Sequence, residues 1–245
     1  MQLPSFAAAM LMAAVSPATA VMLYDPAAGL PNLQGWTTAP AVISGSDTLL
    51  AGRLRIDTTG AGVFQHGHAL RPTLDTVAGF ALQFGLQVIS ATTDSVNRAG
   101  FVVLLQGQDQ TKSLELAFLV DRVWALQYTP GAPSNGFVQG EGVAFDTSAA
   151  FRNYTLTVQN NLFSLSADGQ ALFGGAMRDY PTLLPGSPAT VVYSQPNLIF
   201  FGDNTSQARG VFDVGSITLS PVPEPAAAAL LLAGLAGLAW RFRRR

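Results

Sequence analysis

Apolar and polar residues alternate with a period of two through most of this chain, and residues 21–220 carry no sustained 3.6-residue period. The longest alternation is Phe80–Val88. Phe80, Leu82, Phe84, Leu86 and Val88 fall on one face, and Ala81, Gln83, Gly85 and Gln87 fall on the other. Successive strand residues point to opposite sides, so this run predicts a strand with one face in a core and one towards water. Phe101, Val103 and Leu105 share a face in the same way. So do Leu114, Leu116 and Phe118, on a strand predicted to turn at Asp121-Arg122 and return as Val123–Gln127. Tyr154, Leu156 and Val158 run into Asn160-Asn161, residues that tolerate left-handed turn geometry. Leu162–Ser166 returns, and Asp168-Gly169 turns the chain into Ala171–Phe173. Leu50–Ile56 and Gly62–His68 read as an early pair across Asp57-Thr58-Thr59-Gly60, and Asn197–Phe201 and Val211–Leu219 close the series. Pro130–Gly140 and Tyr180–Pro196 read as long loops. About twelve short strands punctuated by Gly, Asn and Pro predict an all-β, two-layer sandwich or barrel.

Both ends break the alternation. Phe6–Val15 is apolar with no polar face, Pro17 follows, and Ala18-Thr19-Ala20 has the small-x-small form of a cleavage site. Residues 1–20 are therefore expected to be a secretory signal helix, cut after Ala20, although no Lys or Arg precedes the apolar run. At the other end, residues 221–245 hold prolines at 221, 223 and 225, the uncharged run Ala226–Trp240, and Arg241, Arg243, Arg244 and Arg245. Prolines stiffen the approach. The 15-residue run spans roughly 22 Å as a helix, shorter than a comfortable crossing. Arginines resist transfer through a bilayer and form the membrane stop. A short C-terminal transmembrane helix is expected, leaving residues 21–220 as one ectodomain.

That ectodomain holds 14 Asp and Glu against nine Lys and Arg, a net charge of −5. Its acidity argues against a nucleic-acid partner, whose phosphates require a basic face. The chain has no cysteine, which excludes disulfide staples and thiol catalysis. A glycosidase requires two carboxylates a few ångströms apart across the scissile bond, yet residues 21–220 contain only Glu115 and Glu141 as glutamates. Glu115 lies opposite Leu114, Leu116 and Phe118 on its strand and is placed to reach a concave face. No nucleophile-elbow sequence supports a serine triad. No catalytic residue is assigned, and a non-enzymatic role is expected. His66 and His68 share a strand face and with Asp75 would make three metal ligands. A pair of solvent-facing or packed histidines at a strand end is the preferred reading, and no metal site is assigned. Asp203, Asn204 and Thr205 are hard oxygen donors that suit Ca²⁺, or else hydrogen-bond their own loop and end the strand. No other cofactor is expected. Among Trp36, Trp124, Tyr128, Tyr180 and Tyr193, Tyr128 is the best placed to stack on a sugar.

The proline collar, apolar run and basic stop, with Pro223-Glu224-Pro225 at the head, resemble the PEP-CTERM sorting signal of exported bacterial proteins. That resemblance implies an exosortase partner, passage through the inner membrane and a bacterium that makes extracellular polysaccharide. The run Phe80–Val88, Asn153–Val158 with its hairpin, and Gly202-Asp203-Asn204-Thr205 before the last strand are similar to concanavalin A-like (laminin G-like) jelly rolls. The expected protein is a surface or matrix component with a structural or glycan-binding role in exopolysaccharide or biofilm. A polysaccharide hydrolase or lyase on the same fold and a calcium-dependent adhesion module are the alternatives.

Overall fold

Fifteen strands, numbered along the chain, form two antiparallel sheets in the computed structural model, which describes residues 19–39, 45–60, 65–132, 136–183 and 190–222. The first sheet runs β13 (Gln170–Ala176), β12 (Leu162–Ala167), β11 (Arg152–Gln159), β6 (Phe80–Thr93), β15 (Ala208–Pro221), β4 (Arg53–Asp57), β3 (Ser46–Leu50). The short β1 (Val21–Tyr24) pairs with the far end of β15. The second sheet runs β10 (Phe137–Ala144), β9 (Arg122–Tyr128), β8 (Ser113–Leu119), β7 (Phe101–Gln106), β14 (Leu198–Asp203), β5 (His66–Leu70), β2 (Thr37–Ala39). The result is an all-β sandwich of the jelly-roll kind.

The alternation decides which residues meet between the sheets. Phe80, Leu82, Phe84, Leu86 and Val88 are all buried. Phe84 stacks on Tyr154 of its own sheet at 5.4 Å and meets Phe118 of the opposite sheet edge-on at 6.0 Å. Burying a large apolar side chain of this kind contributes ~1.5–3 kcal/mol. The tight turns also follow the sequence. Asn160 and Asn161 have φ of 53° and 60°, and Asp168 and Gly169 have φ of 48° and 81°, the left-handed pairs that two-residue hairpins need.

The sequence-based picture changes in four places. The expected early pair does not form. Instead β4 turns back on β3, while β5 lies in the other sheet between β14 and β2. Alternation fixes the buried face of a strand, not its neighbour. Gly67 is the physical reason this neighbour is allowed: it lies opposite Gly202, and a Cβ there would stand 2.4 Å from the Phe201 carbonyl. Second, the expected Asp121-Arg122 turn sits one residue earlier, because Arg122 already opens β9. Third, the supposed loop 130–140 yields to β10 from Phe137, a strand disguised by glycines at 140 and 142. Fourth, β7 and β8 are buried on both faces. Their outer face is covered by the segment after β13, which carries two single-turn helices, α1 (Tyr180–Leu183) and α2 (Thr190–Tyr193).

The ends of the sandwich meet. Val21 pairs with Leu219, so the start of β1 and the end of β15 emerge side by side. Ala20 is exposed just ahead of β1. Ala18, the sorting residues Pro223, Glu224 and Pro225, and the arginines at 241 and 243–245 lie outside the described residues. Among the described residues no helix is long and apolar enough to cross a membrane.

Candidate functional site: the covered outer face of the second sheet

On β8 the core alternation sends Leu114, Leu116 and Phe118 inward and Glu115, Ala117 and Leu119 outward. Outward does not mean exposed here. Val102, Leu104, Trp124, Leu126 and Phe200 form an apolar floor, and Tyr180 and Tyr193 of the covering segment lie on it with Phe137. Tyr180 and Tyr193 pack with ring centroids 4.9 Å apart.

Glu115 is fully buried in this layer. Its Oε2 accepts a hydrogen bond from the Tyr193 hydroxyl, and its Oε1 accepts one from Asn204 Nδ2 at 2.9 Å. Asn204 Oδ1 accepts in turn from Arg98 Nη2 at 3.3 Å, and Arg98 Nε reaches Thr205 Oγ1 at 3.3 Å. The Arg98 guanidinium lies 5.0 Å from the centre of the Phe137 ring. An amide thus links a buried anion to a nearly buried cation. Charge-assisted hydrogen bonds are what make such a burial tolerable. Burial first, and the charge of Glu115 second, push the Tyr193 hydroxyl far above its ordinary pKa. Tyr180, whose hydroxyl donates to the Leu126 carbonyl, is pushed up for the same two reasons.

The covering segment is thus a flap tied to the sheet through Glu115, both of whose carboxylate oxygens are engaged. Glu141 is exposed on β10 and is paired with Arg178. Arg98 escaped the sequence reading because it sits in a loop between β6 and β7 with no motif around it. Only the fold brings it to Asn204.

Asp203, Asn204 and Thr205 diverge although they are consecutive. Asn204 serves the outer face. Asp203 faces the space between the sheets and is fully buried. Its Oδ1 accepts from the Thr205 backbone N–H at 3.0 Å, and its Oδ2 accepts from Thr58 Oγ1 at 3.0 Å. Burial outweighs these bonds and pushes its carboxyl up to about 8. Thr205 Oγ1 also accepts from the Gln207 N–H at 3.1 Å. Tyr128 is half-buried, edge-on to Phe137 at 5.9 Å, and keeps some open surface. Trp124 is in the floor of the covered face. Trp36 lies in the inter-sheet core and donates to the Leu23 carbonyl at 2.8 Å.

His66 and His68 do share a face, and it is the inner one. The acid beside them is Asp47 of β3, not Asp75, whose carboxylate caps the backbone N–H groups of Val77 and Ala78 at 2.9 Å. Asp47 is 19 residues from His66 in sequence and on the other sheet, so no local spacing could have revealed it.

The C-terminal residues 221–245 match the PEP-CTERM protein-sorting motif. No curated protein matches the chain. Among solved structures, the conserved carbohydrate esterase vb_24B_21 from Shiga toxin-encoding bacteriophage phi24B is similar over 83% of this chain and 99% of its own, at 13% identity and TM-score 0.57. The Ca²⁺-bound VIP36 exoplasmic/lumenal domain aligns over 83% of this chain and 90% of its own, at 10% identity and TM-score 0.47. The metal-free Emp46p carbohydrate recognition domain aligns over 76% and 88%, at 13% identity and TM-score 0.43. At such identities the likeness concerns the fold and not the chemistry.

Proposed function

We propose that this protein is exported, handed to an exosortase through residues 221–245, and displayed as a non-enzymatic structural or glycan-binding module in an extracellular polysaccharide layer. The sorting motif carries this reading. The geometry of the sandwich supports it in two ways. Its two ends emerge side by side through the Val21–Leu219 pair, so an export signal and a membrane anchor would attach at one point and leave the faces free. The carboxylate best placed for hydrolysis, Glu115, has both oxygens engaged beneath the flap. The Asp203 carboxylate is likewise engaged within the protein.

The open surface that suits a sugar is the outer face of the first sheet. Gln83, Asn153, Thr155, Asp168, Ser216 and Thr218 line a shallow depression there. Amide and hydroxyl groups on this open sheet face match the hydroxyl pattern of a polysaccharide. Fractionation of cells expressing Glu224→Ala tests the sorting step. The expected outcome is full-length protein accumulating in the inner membrane; unchanged processing and surface display would refute it. A polysaccharide array probed with the full-length protein tests the binding step. Binding that is lost in Ser216→Arg supports the assigned face, and binding that Ser216→Arg leaves intact removes it.

A further inference from the structure

We propose that Asp47, His66 and His68 form a binding site for a first-row transition-metal dication, Zn²⁺ foremost, that clips the two sheets together along one edge of the sandwich. The three residues come from two layers. Asp47 lies on β3, the last strand of the first sheet, and pairs across from Ile56, whose side chain is in the core. His66 and His68 lie on β5 of the second sheet, opposite Asp203 and Phe201. All three side chains therefore point into the same inter-sheet space from opposite sides.

The geometry is that of converging donors. His66 Nε2 is 2.9 Å from Asp47 Oδ1, and His68 Nε2 is 3.1 Å from Asp47 Oδ2. One ligand atom from each residue can be chosen so that all lie within 4.8 Å of one another. Ligands about 2.0–2.1 Å from one ion stand about 3.0 Å apart in cis octahedral positions and about 3.4 Å apart in a tetrahedron. Small side-chain adjustments would bring the three donors onto one ion.

His68 is the observation that asks for a ligand. Its side chain is 1% exposed, and neither Nδ1 nor Nε2 makes a hydrogen bond with any described residue. The Nε2 approach to Asp47 is close enough for one but misdirected. A buried imidazole with both nitrogens idle is costly, and a metal at the point where Nε2 and the carboxylate converge removes that cost. His66 Nδ1 and the Tyr24 hydroxyl are also buried without a hydrogen-bond partner among the described residues.

The donor set selects the ion. Two imidazoles and a carboxylate suit Zn²⁺ and its neighbours, whereas Ca²⁺ takes oxygen ligands. The chain has no cysteine, so a metal clip would supply the cross-link between layers that other exported domains take from disulfides.

The test uses the full-length protein, stripped with chelator and titrated with Zn²⁺, Co²⁺ and Ca²⁺ separately. The expected result is one Zn²⁺ per chain by elemental analysis and a visible ligand-field band with Co²⁺. At zinc a hundredfold above Kd, the unfolding midpoint should rise by about 5–10 °C. Ca²⁺ should do none of this. His68→Gln should abolish the stoichiometric binding, and Asp75→Asn should leave it intact. The wild-type Co²⁺ band decides the matter even if His68→Gln fails to fold. No band and no zinc retained, stoichiometric binding that survives His68→Gln, or binding of Ca²⁺ alone would overturn the proposal and leave a packed His–Asp–His cluster.

Discussion

Asp203→Asn should remove most of a pH dependence that the wild-type fold carries between pH 5 and 8. Burial raises the Asp203 carboxyl from 3.8 to about 8. Between those values the folded protein holds a proton that the unfolded chain has released. Stability from this group is therefore complete below about pH 4 and falls as pH rises towards 8. Each pH unit in that window costs about 1.4 kcal/mol, so the wild type loses about 4 kcal/mol from pH 5 to pH 8 through this residue. An asparagine preserves the local bonds. Its oxygen accepts from the Thr205 N–H in place of Oδ1, and its amide donates to Thr58 Oγ1, which redirects its own proton to the Gly210 carbonyl, 3.3 Å away. The assay is denaturant unfolding of both proteins at pH 5, 6, 7 and 8. Every other titrating group is common to the two, so their difference isolates Asp203. The variant should match the wild type only below about pH 4, and its lead should grow by about 4 kcal/mol from pH 5 to pH 8, about 10 °C in midpoint. Parallel losses in the two proteins would refute the reasoning.

Two further substitutions probe the layers of the fold. Tyr193→Phe removes a donor from the fully buried Glu115, and chemical denaturation should show a loss of about 1.5–3 kcal/mol; an unchanged midpoint would mean that the flap is held by packing alone. Gly67→Ala places a methyl 2.4 Å from the Phe201 carbonyl and 2.5 Å from Phe200 Cζ. It should cost about 1–3 kcal/mol through forced separation of β5 from β14, measured by thermal unfolding, and a neutral result would contradict the close approach.

Much of this protein was legible in its sequence, because the signals are local. The period of two on Phe80–Val88 determined which side chains enter the core, and each of the five predicted residues is buried. Asn160-Asn161 and Asp168-Gly169 determined their hairpins because their backbones accept positive φ. The C-terminal motif was complete within 25 residues and matches as such. What tertiary structure alone decided is every relation across distance. Glu115 reads as an outward-facing acid until Tyr193, 78 residues away, closes over it. Asp203 and Asn204 are adjacent in sequence, but alternation sends one between the sheets and the other to the outer face. Asp47 meets two histidines only because its strand ends one sheet where β5 lies in the other. Side-chain period is a property of one strand, whereas burial, charge pairing and ligand convergence depend on which strands become neighbours.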